Sequence, residues 1–450
     1  MTAVIVEERP LVRTAAKSSH PVRLLQWYAV LLMVFPGDYV VKAIGGDGYP
    51  AALVSYLMFL VWGAAALLGH HNPFRYHYRV RIGLVWLWVA SLASYVMMQR
   101  PFLSGFQTAS ADRWLEQLAG LSGIILVAAE GLHTLDDVRR VLRALIWGGA
   151  FCGIVAVLQF KARIDLTNYY LKIPGFSINA IAAVNADIIS RNGQNRVPGT
   201  TTDPIELGVV AGMLLALAVY MMMHEVGQPA WKRVLPVICI ALSAVASVSR
   251  SSVIAVAAAI GVLIVCLPPV RRLKALAAVP VALSIVFVAA HGLIGTLTSF
   301  FLAGNSDPSI AHRTNNYPYV EQLVREAPWF GTGPGTYMPA SQVNILDNQY
   351  LTVSIELGLF GLLATLIYLA WPIVVALAAR AHTANSELRD LCAALAGAEL
   401  AALLCSATFD SFSFPTFLNL QALVVGLVGA AWRLIHEDQN SISMIQSGGI

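Results

Sequence analysis

The side chains with chemistry to offer are the few charged ones that interrupt a long apolar chain. Arg196, Arg250 and Arg313 are the first group. A guanidinium is a planar fork of donors that suits phosphate oxygens, so convergent arginines at a membrane surface would suit a lipid diphosphate. Any one of them could instead snorkel to headgroups or pair with a carboxylate, as could Lys161, Arg163, Lys172, Arg191 and Arg325. Arg250 differs, because it sits in a polar hinge, Ser247-Val248-Ser249-Arg250-Ser251-Ser252, between two short apolar runs. The carboxylates form the second group. A carboxylate can take a proton from a hydroxyl, and Glu206, Asp347 and Glu356 sit at helix ends where one could act. Each has a structural alternative. Asp203-Pro204-Ile205-Glu206 reads as a helix start, with Asp203 as cap and Glu206 at the capping-box position. Asp347 or Asn348 can cap the helix that follows. Glu356 lies one to two turns further in, where a carboxylate is a functional candidate by default. Asp38 and Lys42, four apart on the first apolar run, are expected to pair. His291 reads as a satisfied core histidine.

Composition sets the medium for this chemistry. Of 450 residues, 57% are apolar and 12% charged, against about 25% charged in soluble domains. The chain lacks the charged surface of a soluble enzyme and is too apolar to be disordered. A net charge of +4 says little about nucleic acid. The five cysteines lie inside apolar runs without paired short spacing, so neither disulfides nor zinc are expected. Gly331-Thr332-Gly333-Pro334-Gly335 reads as a tight turn, since no Lys-Ser/Thr follows and no strand precedes it. No metal-ligand cluster of the DxD kind is visible, and no cofactor is expected. The N-terminus has no small-residue cleavage site behind its first apolar run, which therefore reads as an anchor.

The expected fold is an all-α polytopic membrane protein forming one integral membrane domain over residues 1–450. A helix needs about 20 apolar residues to cross a bilayer. About twelve runs qualify: 24–44, 51–69, 81–98, 114–131, 142–160, 204–223, 234–248, 251–267, 275–303, 351–379, 389–409 and 415–434. The seventh and eighth could be one long helix. With both termini in the cytoplasm, 18 of the 29 basic residues fall on that side, mostly in short loops, as the positive-inside rule requires. Two long connections, 161–203 and 304–350, then lie outside and are read as an ordered cap. In the first, Ile178, Ile181, Val184 and Ile188 within Phe176–Ser190 fall near one helical face, which suits a helix on the membrane surface. The second carries Tyr317, Tyr319, Trp329, Phe330 and Tyr337 as packing anchors.

The stretch His312–Leu362, HRTNNYPYVEQLVREAPWFGTGPGTYMPASQVNILDNQYLTVSIELGLFGL, resembles the O-antigen ligase and polymerase superfamily of bacterial membrane glycosyltransferases. That family shows an Arg, an aromatic, a P-x-F-G-x-G-P/x-G turn, H-N-x-Y-L and E-x-G-x-x-G. Here Arg313, Pro328, Phe330, Gly331, Gly333, Gly335, Asn348, Tyr350, Leu351, Glu356, Gly358 and Gly361 match. Arg196, Val197, Gly199 and Thr200 match an R-V-x-G-T segment, and Ser249-Arg250 an S-R pair. Asp347 stands where the family's ligases usually carry His, and Arg250 to Gly261 has the Arg-ten residues-Gly spacing of its polymerases. Motifs cover residues 190–365; elsewhere the likeness is one of layout.

The resemblance implies metal-independent, inverting transfer of a glycan from a polyprenyl-diphosphate (undecaprenyl-type) carrier to a glycan or lipid acceptor hydroxyl. The work would be done on the outer face of the bacterial cytoplasmic membrane, in surface polysaccharide synthesis. Arg196, Arg250 and Arg313 would hold the diphosphate. Asp347, Arg250 and Glu356 would be catalytic, and Asn348, Tyr350 and Glu206 would support the acceptor site or its loops. Nucleic acid is not an expected partner. A transporter or flippase for a lipid-linked glycan is the alternative. It should show paired broken helices in corresponding halves, whereas here the polar outer material gathers in two loops.

Overall fold

The computed structural model describes residues 20–75, 78–99, 103–179, 189–191, 194–289, 316–339, 341 and 344–447. They form a helical bundle. In chain order come α1 (His20–Val34), β1 (Tyr39–Val41), α2 (Pro50–Leu67), α3 (Arg81–Met97), α4 (Gly105–Gly131) and α5 (Leu135–Ala162). Then follow β2 (Phe176–Ile178), β3 (Ile189–Arg191), β4 (Gln194–Arg196), α6 (Pro204–His224), α7 (Ala230–Ala246), α8 (Arg250–Cys266) and α9 (Pro269–Ala289). The chain ends with α10 (Tyr317–Glu326), α11 (Gln349–Glu356), α12 (Gly358–Ala381), α13 (Ser386–Cys405) and α14 (Pro415–Ser447). By length and composition, α2, α5, α6, α12 and the Pro415–Glu437 part of α14 can cross a membrane, and α3 and α8 are shorter apolar helices.

Local sequence sets the helix starts. Ser104 and Gln107 close a capping box at α4, and Thr134 and Asp137 another at α5, satisfying N–H groups that have no partner within the helix. Asp203 accepts from Ile205 N at 2.6 Å and Pro204 opens α6. Residues 234–248 and 251–267 are separate helices, broken at Ser247-Val248-Ser249.

The centre of the bundle is α6 and α14. Of their apolar spans 83% and 94% is buried, against 17% for the peripheral α2. Around them α8 packs on α6 and α13, α13 on α12, and α4 on α14. Lipid tails are as apolar as leucine, so helices in a bilayer associate through close contact of small residues. The run Cys392–Ala402 on α13 is built that way, and a Cβ at Gly397 would stand 2.4 Å from the carbonyl oxygen of Ala259 on α8. Gly397→Leu is therefore expected to push α13 off α8 and cost about 1–3 kcal/mol, read as a lower melting temperature in detergent.

Three expectations change. The first helix stops at Val34, and the chain turns through Phe35–Asp38 into β1. Asp38 and Lys42 thus share no helix face; Lys42 N instead donates to Gly175 O at 2.8 Å. The stretch Phe176–Ser190, expected as a surface helix, is extended at both ends. Its start pairs antiparallel with β1, Tyr39 opposite Ile178, and Phe176 stacks on Phe35 at 5.5 Å; its middle lies outside the described residues. Finally, the run 351–379 is broken, as α11 ends at Glu356 and α12 starts at Gly358. His291 and Arg313 lie outside the described residues.

Candidate active site

Arg250 is the first residue of α8, and the turn before it is unusual. Val248 has φ 45°. A β-branched residue in the left-handed region is strained and persists only where its surroundings enforce it. The enforcement is visible. Val248 is buried, Val248 N donates to Val245 O at 3.2 Å, and Ser247 Oγ and Ser252 Oγ both donate to Ala244 O at 2.8 Å. The N-cap, Ser249, makes no side-chain bond to the first turn of α8. A strained hinge thus aims a helix N-terminus and an arginine at one spot, an arrangement that favours anions.

A second element docks on the same end of the bundle. Ser251 Oγ lies 2.8 Å from Thr408 Oγ1, and the Cys405 thiol donates to Ser251 O. The turn 406–412 that carries Thr408 also receives the start of α11: Gln349 N donates to Ser406 O and Phe409 O, and Phe412 N donates to Gln349 Oε1 at 2.6 Å. The helix starts bearing Arg250 and Asp347 are therefore fastened to one short turn. Asn348, not Asp347, caps α11, accepting from Tyr350 N at 2.9 Å. The Tyr350 hydroxyl donates to Leu403 O at 2.6 Å, tying α11 to α13.

The glycine turn and the break between α11 and α12 are one unit. Thr332 N and Gly333 N each donate 3.0 Å bonds, to Ile355 O and Glu356 O, while Leu359 N and Phe360 N donate to Pro328 O and Trp329 O. The Glu356 carboxylate accepts from Tyr337 N at 3.2 Å. Backbones meet so closely that a Cβ at Gly331 would sit 2.3 Å from Glu356 C, and one at Gly358 2.4 Å from Trp329 C, and both have positive φ. This gives a physical reason for glycines at both places. Gly358→Ala is expected to undock the turn, seen as faster proteolysis within 328–339 than in wild type.

Further carboxylates lie at this end of the bundle. Asp410, in the turn between α13 and α14, is partly exposed as a residue, yet its Oδ1 is closed off from solvent and unpartnered. Burial pushes its carboxyl up to about 6, against hydrogen bonds from Ser413 and Thr352, with the charge of Asp347 adding to the rise. Burial also raises Asp203; its bond from Ile205 N and the charge of Arg196 oppose this, and Asp347 adds to it. Asp347 thus stands within electrostatic reach of both Asp203 and Asp410, and Arg196 within reach of Asp203. A carboxyl raised in the folded protein contributes stability that is full below its unfolded pKa, about 3.9, and lost as pH rises through its folded value. Asp410→Asn should therefore raise the melting temperature more at pH 8 than at pH 5, as followed by tryptophan fluorescence.

The structure brings Arg250, Asp347, Asn348 and Tyr350 onto elements that share the 406–412 turn, with Arg196 within electrostatic reach of Asp203. Glu356 lies behind them, under the glycine turn. Glu206 is fully buried in a holding position, accepting from Thr202 N, Thr202 Oγ1 and Phe417 N, each at 2.8 Å, which fastens α6 to α14. Sequence reading missed Asp410; its signal was a lone acid in the short polar turn Asp410-Ser411-Phe412-Ser413 between two apolar runs.

No curated protein matches the chain. Residues 235–366 match a family model described as O-antigen ligase. That stretch contains the strained hinge, Arg250, the glycine turn, Asp347 and the α11–α12 break, and its match supports an O-antigen ligase/polymerase family.

Proposed function

We propose that the protein is a membrane glycosyltransferase that moves a glycan from a polyprenyl-diphosphate carrier to an acceptor hydroxyl on the outer face of the cytoplasmic membrane, both termini lying inside. The carrying observation is that Arg250 and Asp347 sit on helix starts fastened to one turn, within a segment matching O-antigen ligase. On this reading the chain crosses the membrane about twelve times and the two long connections cover the site.

The chemistry follows from the groups available. Asp347 accepts the proton of the acceptor hydroxyl. Its oxygen attacks the anomeric carbon from the face opposite the leaving group, and the bond from that carbon to the phosphate oxygen breaks. The lipid diphosphate departs as an anion, with charge growing where Arg250, the N-terminus of α8 and Arg196 can meet it; the family likeness adds Arg313 to this set. Arginines supply the positive charge, so no metal is required. Asn348 and Tyr350 fix the start of α11, and with it Asp347. Glu356 fixes the glycine turn and Glu206 the α6–α14 junction, so both act by positioning rather than by proton transfer.

The test uses purified protein in nanodiscs with a polyprenyl-diphosphate oligosaccharide, following lipid diphosphate release and product size. A ladder of products identifies a polymerase, and a single addition to a supplied acceptor identifies a ligase. Lipid that binds and crosses the bilayer without any turnover would replace this reading with the flippase one.

A further inference from the structure

The opposite end of α5 carries a second site. Arg143 lies 16 residues before Gln159, which donates to Gly199 O beside the R-V-x-G-T segment. That is about 24 Å along a helix rising 1.5 Å per residue, so Arg143 lies at the other face of the bundle from Arg250 and Asp347. Here a cleft of ≈ 380 Å³ runs between α1 and α5, walled by Val30, Val34, Trp147 and Phe151, with Arg140 and Arg143 at its mouth. A narrower recess lies on the other side of Arg143 and Trp147, against α6 and α7, edged by Lys232 and Arg233.

The two hollows share Arg143 and Trp147, so they form one surface with a cationic lip and an apolar wall. Trp147 and Trp231 meet edge to face at 6.5 Å and are both exposed, as tryptophans are where headgroups begin. Lys232 extends over Trp231, with Nζ 5.5 Å from the ring centre. The carboxylates nearby are accounted for by the other two cations: Glu225 accepts from Arg143 Nε at 2.9 Å, and Asp136 from Arg140 Nη2 at 2.5 Å with Asp137 close behind. Among the described residues Arg233 reaches only a backbone carbonyl, that of Met222, at 3.4 Å. Ion pairing therefore leaves the positive character of the lip on Lys232 and Arg233.

We propose that this surface binds an anionic phospholipid, its phosphate against Lys232 and Arg233 and an acyl chain laid in the cleft along Trp147 and Phe151. The occupant is a lipid and not a free anion because the apolar wall continues directly from the cationic lip. Basic pockets between spanning helices select anionic headgroups for this reason. A lipid seated here would bridge α1, α5 and α7 and brace the bundle on the side away from the glycan site. The inference is independent of glycan transfer.

The experiment is lipid retention by native mass spectrometry, after delipidation and exchange into nanodiscs of equal phosphatidylglycerol and phosphatidylcholine. Wild type is expected to retain phosphatidylglycerol in clear excess. The Lys232→Gln/Arg233→Gln double variant should lose roughly 25-fold of that preference, since each basic residue at an anionic surface is worth about fivefold in binding. Ala144→Trp, which fills the cleft without changing charge, should lose retention of both lipids while keeping a monodisperse gel-filtration peak. Excess inorganic phosphate should not displace the bound lipid. Equal retention of the two lipids by wild type, unchanged selectivity in the double variant, or displacement by phosphate would each overturn the proposal.

Discussion

Asp347→Asn is expected to lower the rate of glycan transfer by about 10²–10⁴-fold, the usual contribution of a positioned general base, with little change in folding. Asparagine is isosteric and cannot accept the acceptor's proton. The fold should tolerate it because the helix cap is made by Asn348, and the tether to the 406–412 turn by the backbone and side chain of Gln349. Removing the Asp347 charge also relieves the two carboxyls it disfavours, Asp203 and Asp410. A melting temperature equal to or above that of wild type, together with the lost rate, separates a chemical role from a structural one.

Arg250→Ala is expected to cost about 10²–10³-fold in lipid diphosphate release, the range seen when one preorganised donor to a developing oxyanion is removed. Arg250→Lys should recover little, because a point charge on a flexible stem does not reproduce the planar fork. The measurement is single-turnover release with saturating donor, which isolates the bond-breaking step. If the arginine only bound the donor, the variant would raise KM and leave that saturated rate unchanged. The hinge sharpens the expectation: the strained Val248 that aims Arg250 is itself enforced by Ser247 and Ser252.

The parts of this arrangement differed in how far the chain betrayed them. Where apolar runs of bilayer length stop at polar residues, the helices follow the sequence closely, as at Pro204, Arg250 and Pro415. The hinge was legible because four of the six residues Ser247–Ser252 are serines in an otherwise apolar stretch. Tertiary contacts decided the rest. Residues 35–44 are apolar enough to extend a helix, but Tyr39–Val41 gain a strand partner in Phe176–Ile178, more than a hundred residues away. The break at Leu357–Gly358 needs the backbone of Trp329 and Phe330 pressed against it, which no local pattern announces. Asp410 lacked a helical or motif context, and only the fold sets it near Asp347. Glu206 and Glu356 read as candidate bases in sequence, and their hydrogen bonds give them holding positions instead.

In the proposed mechanism a carboxylate at position 347 works with Arg250 to expel a lipid diphosphate without a metal. The most direct measurement is lipid diphosphate release in nanodiscs containing EDTA, comparing wild type with Asp347→Asn, Asp347→His and Arg250→Ala. Wild-type release is expected to be undiminished in EDTA, lost in Asp347→Asn and Arg250→Ala, and partly recovered in Asp347→His, since imidazole can also accept the proton. Release abolished by EDTA, or an Asp347→Asn protein as fast as wild type, would contradict it.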